Sequence, residues 1–162
     1  MKIRLLMTVI LLAPLPLGAC QVAPRDYRGA LAAPERVVKL AQLPLEQQLQ
    51  DYYVDISYRV ARQGEQLQVT GNFAFSINSQ VYHRRVHDLR LLLFQLDEAR
   101  RVMDSQLLAR TSTTDLDRPL VFDRDVRLGT GVSAFVLGYE LIMIDEEEHV
   151  QIVKDVPRSL QK

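Results

Sequence analysis

After Asp51 the chain alternates apolar and polar residues with a period of two. Tyr52, Val54, Ile56, Tyr58 and Val60 interleave with Tyr53, Asp55, Ser57, Arg59 and Ala61, which predicts a strand with one buried face. Gln63-Gly64-Glu65 supplies a turn. Leu67, Val69, Gly71, Phe73, Phe75 and Ile77 then alternate with Gln68, Thr70, Asn72, Ala74 and Ser76. Two such runs joined by a short glycine-containing loop predict a hairpin. Asn78-Ser79 makes the next turn, and Val81 to Val86 is mixed.

From Leu89 to Leu96 the chain is almost continuously apolar. Such a run is a central strand or a buried piece of helix, and its length and strand-like neighbours favour the strand. Val102 to Ala109 reads as a weaker strand, Thr111 to Arg118 as a polar loop, and Leu120, Phe122 and Val126 as a fifth strand. Gly129-Thr130-Gly131 turns. Val132 to Ile144 is a long apolar strand in which Gly138 marks a bulge or a close approach. Asp145 to Glu148 is the last turn, and Val150, Ile152 and Val153 close the sheet before Pro157. The expectation is an all-β fold, an antiparallel two-sheet sandwich of about seven strands with no helix between them.

Residues 20–51 differ in composition. They hold Pro24, Pro34 and Pro44, several alanines and the run Glu46-Gln47-Gln48-Leu49-Gln50. Val37, Val38, Leu40 and Ala41 have the spacing of one face of a short helix, with Pro34 near its start. The segment is expected to be a tether with one helical patch, and a flexible coil of about 30 residues has a mean span of ~30 Å. Residues 52–157 are then the sandwich domain, and residues 158–162 a tail.

Residues 1–19 have the layout of a secretory signal peptide: Lys2 and Arg4, an apolar run from Leu5 to Leu17, then small residues. Pro14 and Pro16 interrupt the run, which is well short of the roughly 20 apolar residues that a spanning helix needs. Leu17-Gly18-Ala19-Cys20 resembles the lipobox of bacterial lipoproteins. That resemblance implies cleavage before Cys20 and attachment of a diacylglycerol to its thiol, usually with an acyl chain of the palmitate class on the new amine. Each buried methylene contributes ~0.8 kcal/mol, and stable anchoring needs more than one chain. Gln21 stands where an aspartate favours inner-membrane retention in proteobacterial lipoproteins, so the resemblance implies an outer-membrane address.

Composition narrows the classes further. Cys20 is the only cysteine, so no disulfide forms within one molecule. Loss of Lys2 and Arg4 with the signal leaves the mature chain slightly acidic, which does not provide the basic face that nucleic-acid binding requires.

Val69-Thr70-Gly71-Asn72, the apolar strand ending at Asp97, and Val102 after the next turn resemble the FxLYD-type immunoglobulin-like domains of secreted and lipid-anchored bacterial proteins. The likeness covers Val69 to Met103. Phe94-Gln95-Leu96-Asp97 stands where the family has Leu-Tyr-Asp, and Glu98-Ala99 replaces the glycine that follows. The resemblance implies a binding or spacer role without catalysis and supplies no site residues.

Other constellations favour ordinary roles. His83 and His87, four apart, would share a metal on a helix but stand ~13 Å apart on a strand, four steps of ~3.3 Å. Asp145-Glu146-Glu147-Glu148 lacks the interleaved turn residues of a calcium loop and reads as a solvated turn that guards an edge. Ser133, in Gly131-Val132-Ser133-Ala134-Phe135, lacks the second glycine of a nucleophile elbow. Gly129-Thr130-Gly131 lacks the lysine and helix of a phosphate loop. Arg84-Arg85, beside Tyr82 and His83, suits an anionic partner or a solvated face.

No catalytic, metal or cofactor site is expected. The leading expectation is a lipid-anchored, periplasm-facing, non-enzymatic interaction module that meets an envelope protein through a strand edge or loop. The alternative is a carrier whose strand from Val132 to Ile144 lines a cavity for a hydrophobic ligand. An enzyme gathering His83, His87 or His149 with carboxylates ranks third.

Overall fold

The structure, a computed structural model, describes residues 26–158; the expected signal peptide and Cys20 lie outside them. The strands are β1 (Val38–Lys39), β2 (Leu45–Gln50), β3 (Val54–Gln63), β4 (Gln66–Phe75), β5 (Arg85–Leu96), β6 (Val102–Thr113), β7 (Leu120–Arg127), β8 (Ala134–Ile144) and β9 (Val150–Asp155), with helix α1 (Ile77–Tyr82) after β4. One sheet has the order β2-β3-β4-β7; in the other β8 lies beside β5, β5 beside β6, and β8 carries both β1 and β9 on its far edge. Every pairing is antiparallel. The chain changes sheet after β1, β4, β6 and β7, and the last three crossings are those of Greek-key sandwiches of the immunoglobulin class.

The predicted hairpin pairs Val54 with Phe75 through to Gln63 with Gln66. Its inward residues Val54, Ile56, Val60, Leu67, Val69 and Phe73 are fully buried and meet Leu89, Leu91 and Leu93 of β5 and Phe135, Leu137, Tyr139, Leu141 and Met143 of β8 in one core. Burying a side chain of this size contributes ~1.5–3 kcal/mol, so the core drives the fold. Gly71 is required within it: a Cβ there would lie 2.7 Å from Cζ of Phe122, the ring that fills the space above the strand.

β5 is the central strand that its composition predicted, and it is apolar on both faces for a reason the alternation does not reveal. Leu92, Phe94 and Leu96 point away from the main core into a second cluster with Val102, Ala134 and Val136. Residues 27–37, expected to be a tether, cover this cluster. Ala30 and Ala32 are buried in it, and Tyr27 and Val37 pack against it. The ring of Tyr27 meets that of Phe94 edge-on at 5.0 Å. Main-chain hydrogen bonds hold the strap in place: Gly29 N to Val102 O, Val102 N to Ala30 O, Ala32 N to Arg100 O, and a reciprocal pair between Leu31 and Arg158.

The expected boundaries therefore change. Residues 27–51 belong to the sandwich, and Arg158 is paired rather than part of a tail. The patch expected to be helical forms β1 flanked by two single 3-10 turns, Pro34–Arg36 and Leu40–Gln42. The glutamine-rich run pairs as β2 with β3 from Leu45 opposite Val60 to Gln50 opposite Asp55. Small alanines let the strap's backbone lie against the sheet, and their low hydrophobicity hides the contact from a periodicity argument.

Gly138 is a point of close approach. A Cβ there would overlap the carbonyl oxygen of Asp155 and lie 3.1 Å from Cε2 of Phe94. Gly138→Ala is expected to lower stability by ~1–3 kcal/mol, as overpacking does, read as the urea midpoint. Ala32→Asp, placing a charge where the side chain is buried, is expected to cost at least ~2 kcal/mol; a free tether would show no change.

Candidate functional site

The most distinctive surface is built where β3, α1 and β9 meet. Ser76 caps α1, its Oγ accepting from Ser79 N at 3.2 Å. The same hydroxyl donates to Tyr52 O at 2.5 Å, and Ser79 Oγ donates to Tyr53 O at 2.8 Å, which fastens the helix to the start of β3. This cap replaces the turn expected at Asn78-Ser79 and takes Ile77 out of the preceding strand. On a helix, positions four apart share a face; Ile77 (77 % exposed) and Val81 (65 %) do so, and both face solvent.

At the other end of α1, Arg84 N donates to Ile144 O. His83 is buried, with Nε2 2.7 Å from Gln151 Oε1 on β9, and Gln151 Nε2 donates to Tyr53 OH at 2.8 Å. These bonds tie three segments together. Among the described residues nine large apolar side chains are exposed, and six of them (Tyr52, Ile77, Val81, Tyr82, Val150 and Ile152) lie on these segments. Ile77, Val81 and Tyr82 stand on α1, Tyr52 just before β3 where the cap of α1 is fastened, and Val150 and Ile152 on the opposite face of β9 from Gln151; exposed apolar patches mark interaction sites more often than single exposed residues do.

An acidic rim borders the same end. In the β8–β9 turn, Asp145 Oδ1 accepts from Glu147 N and His149 N, both at 2.9 Å, which holds its carboxyl below the usual carboxylate range. His149 lies 3.1 Å from Asp145 Oδ2. Glu148 pairs with both Arg84 and Arg85. The two arginines are thus engaged with the turn, which the sequence did not indicate.

A polar cleft of about 290 Å³ opens between β2 and the edge of β8, lined in part by Arg36, Gln47, Tyr58 and Leu137. Arg36 donates to Leu137 O at 2.9 Å and pairs with Asp155. Tyr58 OH donates to Gln47 Oε1, and Tyr139 OH to Asp51 Oδ2. Burial, the hydrogen bond to Asp51 and the charges of Asp51 and Asp155 push the Tyr139 hydroxyl far above the usual tyrosine range, against the pull of Arg36. Burial also raises Tyr58, again opposed by Arg36. Asp51 Oδ1 meanwhile accepts from Tyr53 N and Val54 N. This network closes an open side of the sandwich and presents no nucleophile with a base.

The remaining candidates are dispersed. His87 is exposed on β5, while His83 ends α1. Among the described residues, no three His, Asp or Glu side chains come together as metal ligands. Ser133 is engaged through its main chain, accepting from Leu40 N and donating to Leu96 O. Among the described residues no helix is long and apolar enough to cross a membrane. No protein-family model and no curated protein sequence matches the chain.

Because the folded-state value of Tyr139 is raised, its contribution to stability is fully present below the unfolded tyrosine value of ~10 and declines above it, as the unfolded chain ionises first. Tyr139→Phe is expected to make the alkaline loss of stability shallower above pH ~10, while costing ~1–3 kcal/mol at neutral pH through the hydrogen bond lost by Asp51. Urea midpoints measured across that pH range check both.

Proposed function

We propose that this protein is a lipid-anchored component of a bacterial envelope, held on the outer membrane through Cys20 and facing the periplasm, where it acts as a non-enzymatic interaction module. The observation that carries the interaction reading is the exposure of Ile77, Val81 and Tyr82 on α1 and of Tyr52 beside its cap, with Val150 and Ile152 exposed on the other face of neighbouring β9. The lipobox-like Leu17-Gly18-Ala19-Cys20 supports the anchor, and the sandwich architecture agrees with the resemblance to FxLYD-type domains.

The strap gives this reading a geometry. Only residues 21–25 separate Cys20 from Asp26, so the chain between them reaches at most ~20 Å. The strap is bonded to Arg100 and Val102 beside the far end of β5, whereas α1 adjoins its beginning at Arg85. A strand of this length spans ~35 Å. Tyr27 already lies over the middle of the sheet, its hydroxyl donating to Glu140, so an anchor on Cys20 would hold the domain close to the bilayer without setting which end of β5 faces it.

The carrier alternative requires a cavity along β8, yet Phe135, Leu137, Tyr139, Leu141 and Met143 are packed into the shared core.

Cys20→Ser is expected to move the protein from the membrane to the soluble periplasmic fraction; retention on membranes would refute the lipid anchor. In intact cells, a photo-crosslinking residue in place of Tyr82 is expected to capture one dominant envelope protein that the same residue in place of Glu46, exposed on β2, does not. Equal labelling from both positions would remove the interaction reading.

A further inference from the structure

Each sandwich edge has hydrogen-bonding groups that must be paired, covered or discouraged. Side chains from one sheet to the other stitch the β6 and β7 side: Arg124 Nε donates to Leu108 O and Gln106 Nε2 to Arg127 O, each at 3.2 Å. β2 exposes Glu46, Gln47, Gln48 and Gln50, a polar edge. β1 is two residues long, and Arg36 closes the gap beside it by donating to Leu137 O. β9 is different. It pairs with β8 alone, and the outward face of its first half carries Val150 and Ile152, each about 60 % exposed.

The register shows which of its main-chain groups are free. Asp145 N donates to His149 O at the mouth of the turn. Bonding residues alternate along an antiparallel ladder, so positions 151, 153 and 155 bond to β8, and the N–H and C=O groups of Val150, Ile152 and Lys154 face the open edge. This edge begins beside the acidic turn, where Glu146 makes no ion pair among the described residues, and the side chain of Gln151 on its inward face is held by His83 at the end of α1.

We propose that the β9 edge takes an extended segment of a partner protein as an added strand. The segment would carry apolar side chains at alternate positions to meet Val150 and Ile152, and lysine or arginine at the end that reaches Glu146 and Glu147. Main-chain bonds supply affinity in strand addition and alternate side chains supply selectivity, while the acidic rim selects charge. The inference rests on the interaction reading and names its edge and its ligand chemistry. A protein rather than a lipid is the occupant because the rim is acidic and would be repelled by an anionic bilayer.

The test uses full-length protein in mild detergent and fluorescent peptides of alternating Val and Thr, bearing Lys-Lys or Glu-Glu at either end. The Lys-Lys peptides are expected to bind about tenfold more tightly than the Glu-Glu peptides, and N-methylation of alternate amides is expected to abolish binding. Ile152→Pro removes one outward N–H and no bond to β8, so it is expected to abolish binding while urea unfolding stays cooperative. Glu146→Lys with Glu147→Lys leaves β9 intact and is expected to reverse the charge preference. Equal binding of all peptides, or full binding by Ile152→Pro, would overturn the proposal. If no peptide binds while Tyr82 still crosslinks to one envelope protein, the interaction reading stands and the added strand falls. Binding to phosphatidylethanolamine and phosphatidylglycerol vesicles that is lost with Ile77→Asp would make lipid the occupant and overturn it as well.

Discussion

A strand that is apolar on both faces must be covered on both, and β5 imposes that requirement on the whole molecule. Leu89, Leu91 and Leu93 turn toward the opposite sheet, while Leu92, Phe94 and Leu96 turn away from it. With only two sheets, the outer cluster would stand in water unless another part of the chain lay over it. The strap from Tyr27 to Val37 does so, and its hydrogen bonds to Arg100, Val102 and Arg158 bring the first and last described segments together. The domain therefore begins well before its first long strand. The same contact shortens the leash between the sandwich and any lipid on Cys20.

The two ends of β5 consequently have different surroundings. At one end lie the strap and the turn from Asp97 to Arg101 that receives it. At the other, α1 spans from one sheet to the other and is held by Ser76, Ser79, His83 and Gln151. A helix of six residues cannot bury a full apolar stripe, so Ile77 and Val81 remain in water with Tyr82. The exposure follows from how the chain crosses between sheets at this end, and it lies next to the edge strand that no other part of the described fold protects.

Much of the site was hidden in the sequence because its members belong to patterns that mean something else locally. Ile77 continues the alternation of β4, yet Ser76 caps a helix there and turns Ile77 outward. Tyr52 sits in phase with Val54 and Ile56 but precedes the strand, where strand parity no longer decides direction. Val150 and Ile152 read as an ordinary half-buried strand, since alternation shows that one face is apolar without showing that nothing lies over it. The acidic turn was legible as a turn. Its hold on Arg84 and Arg85, more than sixty positions away in the chain, was not.

The sequence by itself determined the period of two, the positions of seven strands and the centrality of β5, because each depends on near neighbours along the chain or on a run that is apolar throughout, and it left Gly138 as a bulge or a close approach until Asp155 decided it. Only the tertiary structure decided that residues 27–37 cover a sheet, that Ser76 begins a helix, and that β9 keeps an open edge. Those outcomes depend on which surfaces distant segments cover. A pattern of alternating side chains specifies that a face will be buried somewhere, and leaves the choice of partner to the packing of the whole chain.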